Sequence, residues 1–325
     1  MLLVSLSIII GLILLVWSAD RFILGAMGLA RHLEVSPLII GIIVVGFGTS
    51  APELFISAIA ALRDTTGLAV GNALGSNITN IALILGITAC LTPLVVKESV
   101  FRREFPILLL ATAFTWIFIQ DQLLTWLEGC MLIALMILVM YLIARSSQDN
   151  KQAMDTESEF GSEPDDHAKT LTHSIFWLVL GLIILLISSD ILVTASVKLA
   201  RMVGIPDVVI GLTIIAIGTS LPELAASITG ALKHHTDLAI GNIIGSNIFN
   251  ILGVMSIPAL ITHYPIPRDA VYKDFIVMTA LVILLMILAF ITRQRGGLSK
   301  LSGIILIGCF IAYQVSLYLR TTMSL

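Results

Sequence analysis

Residues 46–87 read GFGTSAPELFISAIAALRDTTGLAVGNALGSNITNIALILGI, and residues 216–257 read AIGTSLPELAASITGALKHHTDLAIGNIIGSNIFNILGVMSI. A shift of 170 residues lays the first stretch on the second without a gap, and 21 of the 42 positions are identical, so the chain carries an internal duplication. The same shift matches Gly11 with Gly181, Ser18 with Ser188, Asp20 with Asp190, Ala30-Arg31 with Ala200-Arg201 and Gly41 with Gly211. The repeat therefore begins well before the quoted motif.

The rest of the chain tells what kind of duplication this is. Of 325 residues, 58% are hydrophobic and 12% charged, and the mean hydropathy is +1.04. That composition places the chain in a bilayer and excludes a soluble enzyme, a secreted disulfide scaffold and a disordered chain. Apolar runs predict spans near 2–20, 37–62, 68–91, 105–119, 122–144, 174–195, 207–232, 238–262, 273–291 and 301–319, most of them long enough to cross about 30 Å of hydrocarbon. The expected fold is an all-α integral membrane protein of ten transmembrane helices in two five-helix repeats, 1–144 and 173–325. Five is odd, so the second repeat enters from the opposite face, the inverted arrangement of secondary transporters with a midplane site.

Between the halves, Arg145–Thr172 is polar and carries Asp149, Asp155, Glu157, Glu159, Glu163, Asp165 and Asp166. It reads as a solvated acidic linker without EF-hand spacing. Twelve basic residues fall on its side of the membrane (Arg21, Arg31, Lys97, Arg102, Arg103, Arg145, Lys151, Lys169, Lys233, Arg293, Arg295, Lys300) and six on the other (Arg63, Lys198, Arg201, Arg268, Lys273, Arg320). By the positive-inside rule the linker is cytoplasmic and both termini face outward. The first span lacks a basic leader and a small-residue cleavage site and reads as retained. Cys90, Cys130 and Cys309 are dispersed and read as small core residues. A net charge of −3, thinly spread, offers no stripe for nucleic acid.

Inside this apolar chain two carboxylates, Glu53 and Glu223, stand near the middle of spans 2 and 7. An acid at that depth costs about 2.5–3.5 kcal/mol on insertion scales, so each requires a cation, a proton or dense hydrogen bonding. Pro52 and Pro222 clash with the carbonyl four residues earlier and are expected to free those of Gly48 and Gly218 as oxygen donors. Gly46, Thr49, Ser50, Glu53 and Ser57 share a helix face, as do Ala216, Thr219, Ser220, Glu223 and Ser227. Spans 3 and 8 answer with Asn72, Ser76 and Asn80, and with Asn242, Ser246 and Asn250, again at i+4 steps; Asn77 and Asn247 are amides that either pack helices or bind. Carboxylate, amide, hydroxyl and carbonyl oxygens suit a hard cation, Ca²⁺ or Na⁺. Two glutamates balance one Ca²⁺ or two Na⁺. Asp20 and Asp190 fit a structural or gating role, His234-His235 an ordinary solvated turn that could also sense pH, and Asp121, Glu128 and Asp274 the membrane interface.

At these residues the chain resembles the sodium/calcium exchanger family of the cation/calcium antiporter superfamily, and most closely its compact bacterial inner-membrane members. The specific part is Gly-Thr-Ser-x-Pro-Glu followed by Gly-Asn-x-x-Gly-Ser-Asn-Ile-x-Asn, present twice. The resemblance implies that spans 2, 3, 7 and 8 surround the ions while the long spans 1 and 6 move across them. It implies that Glu53 and Glu223 bind Ca²⁺ and Na⁺ directly, that Thr49, Ser50, Ser76, Thr219, Ser220 and Ser246 supply oxygens, and that Gly46 and Ala216 offer carbonyls. Asn80 matches a family ligand. Asn250, its repeat mate, departs from the pattern, because well-studied exchangers often carry aspartate there. The function implied is Ca²⁺ export driven by inward Na⁺ through alternating access in the inner membrane, with inorganic cations and the bilayer as partners and no cofactor. Cation/proton exchange is the alternative. A channel fits an occluded midplane site less well, and an enzyme is disfavoured because Ser50 and Ser220 lack a neighbouring histidine or lysine.

Overall fold

A computed structural model describes residues 2–63, 65–146, 170–204, 214, 216–261, 264–292 and 297–323. Nearly all of the linker, residues 205–206, and residues 207–213 and 215 of the expected seventh span lie outside the described residues. The helices are α1 (Leu2–Leu33), α2 (Pro37–Thr49), α3 (Ala51–Leu62), α4 (Gly67–Leu91), α5 (Phe105–Ile119), α6 (Trp126–Ser146), α7 (Leu171–Met202), α8 (Ala216–Gly218), α9 (Leu221–Leu232), α10 (Thr236–Ile261), α11 (Ala270–Thr292) and α12 (Lys300–Met323). Hydrocarbon offers the backbone no water, so helices that satisfy their own N–H and C=O groups are the expected form of such a sequence.

Seven of the described helices are long and apolar enough to cross a membrane: α1, α4, α6, α7, α10, α11 and α12. The bent pair α2–α3 passes the same test when taken together. Helix α5 has 15 residues, its apolar run cut short by Arg102-Arg103-Glu104 in the π-helical turn before it. In the second half, α9 has 12 residues, and 205–213 and 215 before α8 lie outside the described residues.

Helices α1 and α7 each have 32 residues, well beyond the ends expected at positions 20 and 195. At 1.5 Å per residue each spans about 48 Å, more than the hydrocarbon is thick. They lie antiparallel and in close contact. A Cβ at Gly181 would sit 2.6 Å from the Phe22 nitrogen, and one at Gly11 would sit 3.3 Å from the Leu192 Cβ. Each contact is the repeat mate of the other, since 11 and 22 shifted by 170 give 181 and 192. Arg21, Arg31, Lys198 and Arg201, assigned to loops by hydropathy, are helical residues of this pair.

Helices α4 and α10 occupy the centre. Of their most apolar windows 72% and 89% of residues are buried, against 22% for α1. Both contain a π-helical turn at matched positions, Thr79–Ile84 and Phe249–Val254, and a further matched pair, Val100–Glu104 and Ala270–Asp274, precedes α5 and forms the start of α11. Two extended ties close the ends. Strand β1 (Leu123–Leu124) pairs antiparallel with β2 (Tyr264–Pro265), and Leu94 bridges Leu298. Thr125 and Glu128 cap α6 reciprocally: Glu128 Oε2 accepts from the Thr125 N–H at 2.8 Å, and Thr125 Oγ1 from the Glu128 N–H at 3.4 Å. Asp274 is half-buried against Arg320 at 3.1 Å.

Candidate ion-binding site

The chain breaks at Ser50, where α2 turns into α3 through 42°. Ala51-Pro52-Glu53 opens α3 and Leu221-Pro222-Glu223 opens α9, so each glutamate is the third residue of a half-helix. The position explains the local sequence. Proline is harmless in a first turn, where its missing N–H has no intrahelical partner. The N-terminal end of the half-helix dipole favours a carboxylate there.

Glu53 and Glu223 are fully buried. Ser76 of α4 donates to Glu53 Oε1 at 3.3 Å, and Ser50 donates across the repeat boundary to Glu223 Oε1 at 3.3 Å. Asn72 Nδ2 holds the Glu53 carbonyl at 3.4 Å, and Asn242 Nδ2 holds the Glu223 carbonyl at 3.2 Å, one bond being the repeat mate of the other. Asn242 Nδ2 also reaches Ser227 Oγ at 2.9 Å. On the facing side Thr49 Oγ1 donates to Asn242 Oδ1 at 3.1 Å and lies 3.4 Å from Ser246 Oγ, which donates to the Gly46 carbonyl at 3.3 Å. That last contact needs glycine, because a Cβ at Gly46 would come 2.9 Å from the Ser246 nitrogen.

What remains unsatisfied is as informative as what is bonded. Among the described residues, nine of the twelve buried side-chain nitrogen and oxygen atoms without a hydrogen-bond partner belong to the duplicated motif: Glu53 Oε2, Glu223 Oε2, Ser220 Oγ, both polar atoms of Asn80 and of Asn250, and the Oδ1 atoms of Asn77 and Asn247. Buried polar groups are ordinarily paired, and an orphan costs about 1–3 kcal/mol. Their concentration here marks a place built for something polar. Among the described residues neither glutamate has a Lys, Arg or His ion-pair partner, and no cluster of three or more His, Cys, Asp or Glu is present. Two buried carboxylates among amides and hydroxyls, without a protein cation, suit a hard cation that brings its own charge.

Hydrogen bonds thus gather two groups, Glu53 with Ser76, and Ser50 with Glu223 and, through Asn242, Thr49, Ser246 and the Gly46 carbonyl. Asn80 and Asn250 sit in the matched π turns, one helical turn beyond Ser76 and Ser246. Ser220 is buried between α8 and α9, Thr219 is half-buried beside it, and Ala216 begins α8. Asn72 and Asn242 position the glutamates through their carbonyls. Ser189 of α7 adds a contact that no motif announces: its hydroxyl donates at 3.2 Å to the Gly218 carbonyl, the one Pro222 is expected to free. Its repeat mate is Ala19, so the sequence offers no paired signal for it.

Comparison with known proteins gives a consistent picture. The family described as "Sodium/calcium exchanger protein" matches residues 3–145 and 173–319. The putative antiporter CaxA of Alkalimonas amylolytica is 44% identical over 98% of this chain and 99% of its own. The inner membrane protein YrbG of Escherichia coli is 40% identical over 98% of each chain. Among solved structures, the sodium–calcium exchanger NCX_Mj soaked with Na⁺ and Ca²⁺ superposes with a TM-score of 0.81 at 31% identity, covering 97% of this chain and 98% of that one.

Proposed function

Because the chain belongs to the sodium/calcium exchanger family, and so to the cation/calcium antiporters, we propose that it is a secondary active antiporter that exports Ca²⁺ from the cytoplasm against inward Na⁺. One observation carries this reading: Glu53 and Glu223, fully buried, each keep an unpartnered Oε2, with the unpartnered amides of Asn80 and Asn250 on the facing helices and, among the described residues, no protein cation paired to either acid. The two charges balance one Ca²⁺ or two Na⁺, so the ions exclude each other. Glu53, Glu223, Thr49, Ser50, Ser76, Asn80, Thr219, Ser220, Ser246 and Asn250 are the proposed ligand side chains, and Gly46 and Ala216 the proposed carbonyl ligands.

The proposed architecture is ten transmembrane helices in two inverted five-helix repeats, 1–144 and 173–325. It is supported by the repeat-mated contacts Gly11–Leu192 and Gly181–Phe22 and by the matched π turns. The long α1–α7 pair would move across the site for alternating access. The placement is in the inner membrane, with both termini outside and the 145–172 linker cytoplasmic. The test is Ca²⁺ uptake into proteoliposomes loaded with Na⁺ and diluted into Na⁺-free medium with a proton ionophore present. Uptake that requires internal Na⁺ and disappears in Glu53→Gln supports the proposal. Uptake that follows a proton gradient instead would replace it with cation/proton exchange, for which two acids without a third at Asn250 leave room.

A further inference from the structure

Away from the glutamates, a cavity of about 460 Å³ opens where the end of α1 meets the start of α7 and the start of α10. Its polar lining is basic: Arg21, Arg31 and His32 from α1, His173 from α7 and His235 before α10, with Trp177 as an aromatic wall. No acid lines it. Asp20, the neighbouring carboxylate, is taken by Lys233 at 2.5 Å and is 3.9 Å from Arg21 Nε. That Nε is buried and has no hydrogen-bond partner, while the guanidinium lies over Trp177 at 5.1 Å. Among the described residues Arg31 has no ion-pair partner. His32 Nδ1 is 2.8 Å from the Gly28 carbonyl, so its Nε2 is left to face another group.

Guanidiniums are the side chains best matched to phosphate oxygens, and basic pockets between transmembrane helices take anionic headgroups. We propose that this cavity binds a phosphate-bearing anion, the headgroup of an anionic phospholipid or free phosphate, held by Arg21 and Arg31 with the imidazoles as further donors. The burial and the neighbouring positive charges of Arg31, Lys233 and His234 that hold the His235 pKa below its usual value are what such an anion would offset.

The experiment uses the full chain in a neutral detergent, with bound lipid counted by native mass spectrometry after addition of phosphatidylglycerol or phosphatidylcholine. Selective retention of phosphatidylglycerol, lowered about tenfold in Arg31→Gln, as loss of a charge-assisted bond to phosphate implies, and unchanged in Arg145→Gln on α6, is expected. Competition by millimolar inorganic phosphate would assign the site to the free anion, and its absence to the headgroup. Equal retention of both lipids without a phosphate-induced rise in Tm, or equal retention of phosphatidylglycerol by Arg31→Gln and the unchanged chain, would overturn the proposal. Arg31 is exposed, so its substitution leaves folding intact.

A second observation stands independently. The repeat offset carries Asp20 to Asp190 and Arg63 to Lys233. The pair Asp20–Lys233 is closed at 2.5 Å, whereas among the described residues neither Asp190 nor Arg63 is in an ion pair. Resting on the alternating-access reading, we infer that these are two mated ionic latches, one closed in each facing state. With Cys90, Cys130 and Cys309 replaced, the variant Asp190→Cys/Arg63→Cys should cross-link with a short thiol reagent in a minority of molecules. Adding Lys233→Glu should raise the yield about two- to fivefold, the weight of a half-exposed ion pair. An unchanged yield, or no cross-link in either background, would overturn it. The readout needs no ion gradient, so it fails separately from the transport reading.

Discussion

Replacing Asn250 by leucine should stabilise the ion-free protein while removing its response to ions. Asn250 is fully buried in the π turn of α10, and both its Nδ2 and its Oδ1 lack a partner. Each orphan costs about 1–3 kcal/mol, so removing two gives an upper bound of about 2–6 kcal/mol. Leucine keeps asparagine's branched outline but is the larger side chain, and overpacking takes back about 1–3 kcal/mol of that gain. The assay is thermal unfolding of the full chain in detergent, first with chelator and no Na⁺, then across Ca²⁺ and Na⁺ titrations. The unchanged chain should be less stable without ions and rise steeply with them, as binding to the native state alone requires. Asn250→Leu should start higher and rise little. A variant that is destabilised without ions and keeps the full ion-dependent rise would refute the idea that the unpartnered amide is held open for a cation.

Other outcomes follow from single contacts. A methyl at Gly245 would come 2.7 Å from the Ile42 Cα, so Gly245→Ala should cost about 1–3 kcal/mol in denaturant unfolding as α2 is pushed off α10. Ser189→Ala strips the hydroxyl from the Gly218 carbonyl and should cost about 1 kcal/mol, whereas Ala19→Ser, its repeat mate, should gain nothing comparable. His235 is held below its ordinary pKa of 6.5 by burial and by Arg31, Lys233 and His234. The unfolded chain therefore binds more protons just below that value, native stability falls as pH drops through about 6.5, and His235→Gln should flatten that part of the Tm–pH profile.

The polar face proposed to bind ions was legible in the sequence because the duplication states it twice. Glu53 with Ser76 and Glu223 with Ser50 meet as the paired motifs suggest, and the i+4 spacing of Asn72, Ser76 and Asn80 places all three on one side of α4. Hydropathy failed where charge is compensated laterally. It ends the first span at Asp20, yet α1 continues to Leu33, because Asp20 is neutralised by Lys233 and Arg21 lies over Trp17 and Trp177. Ser189 was illegible for the opposite reason: its role exists in one repeat only, and a comparison of halves hides what the halves do not share. The asymmetric bonding of Ser246, to Gly46 and Thr49 but to neither glutamate, likewise belongs to the arrangement of helices rather than to residue identity.

The proposed function requires that one charge-matched pocket hold either Ca²⁺ or Na⁺. Calorimetric titration of Ca²⁺ into the full chain at several fixed Na⁺ concentrations tests it directly. An apparent Ca²⁺ Kd that rises with the square of Na⁺ concentration, and no measurable binding in Glu53→Gln or Glu223→Gln, are expected. A Ca²⁺ Kd indifferent to Na⁺, or retained in either variant, would contradict it.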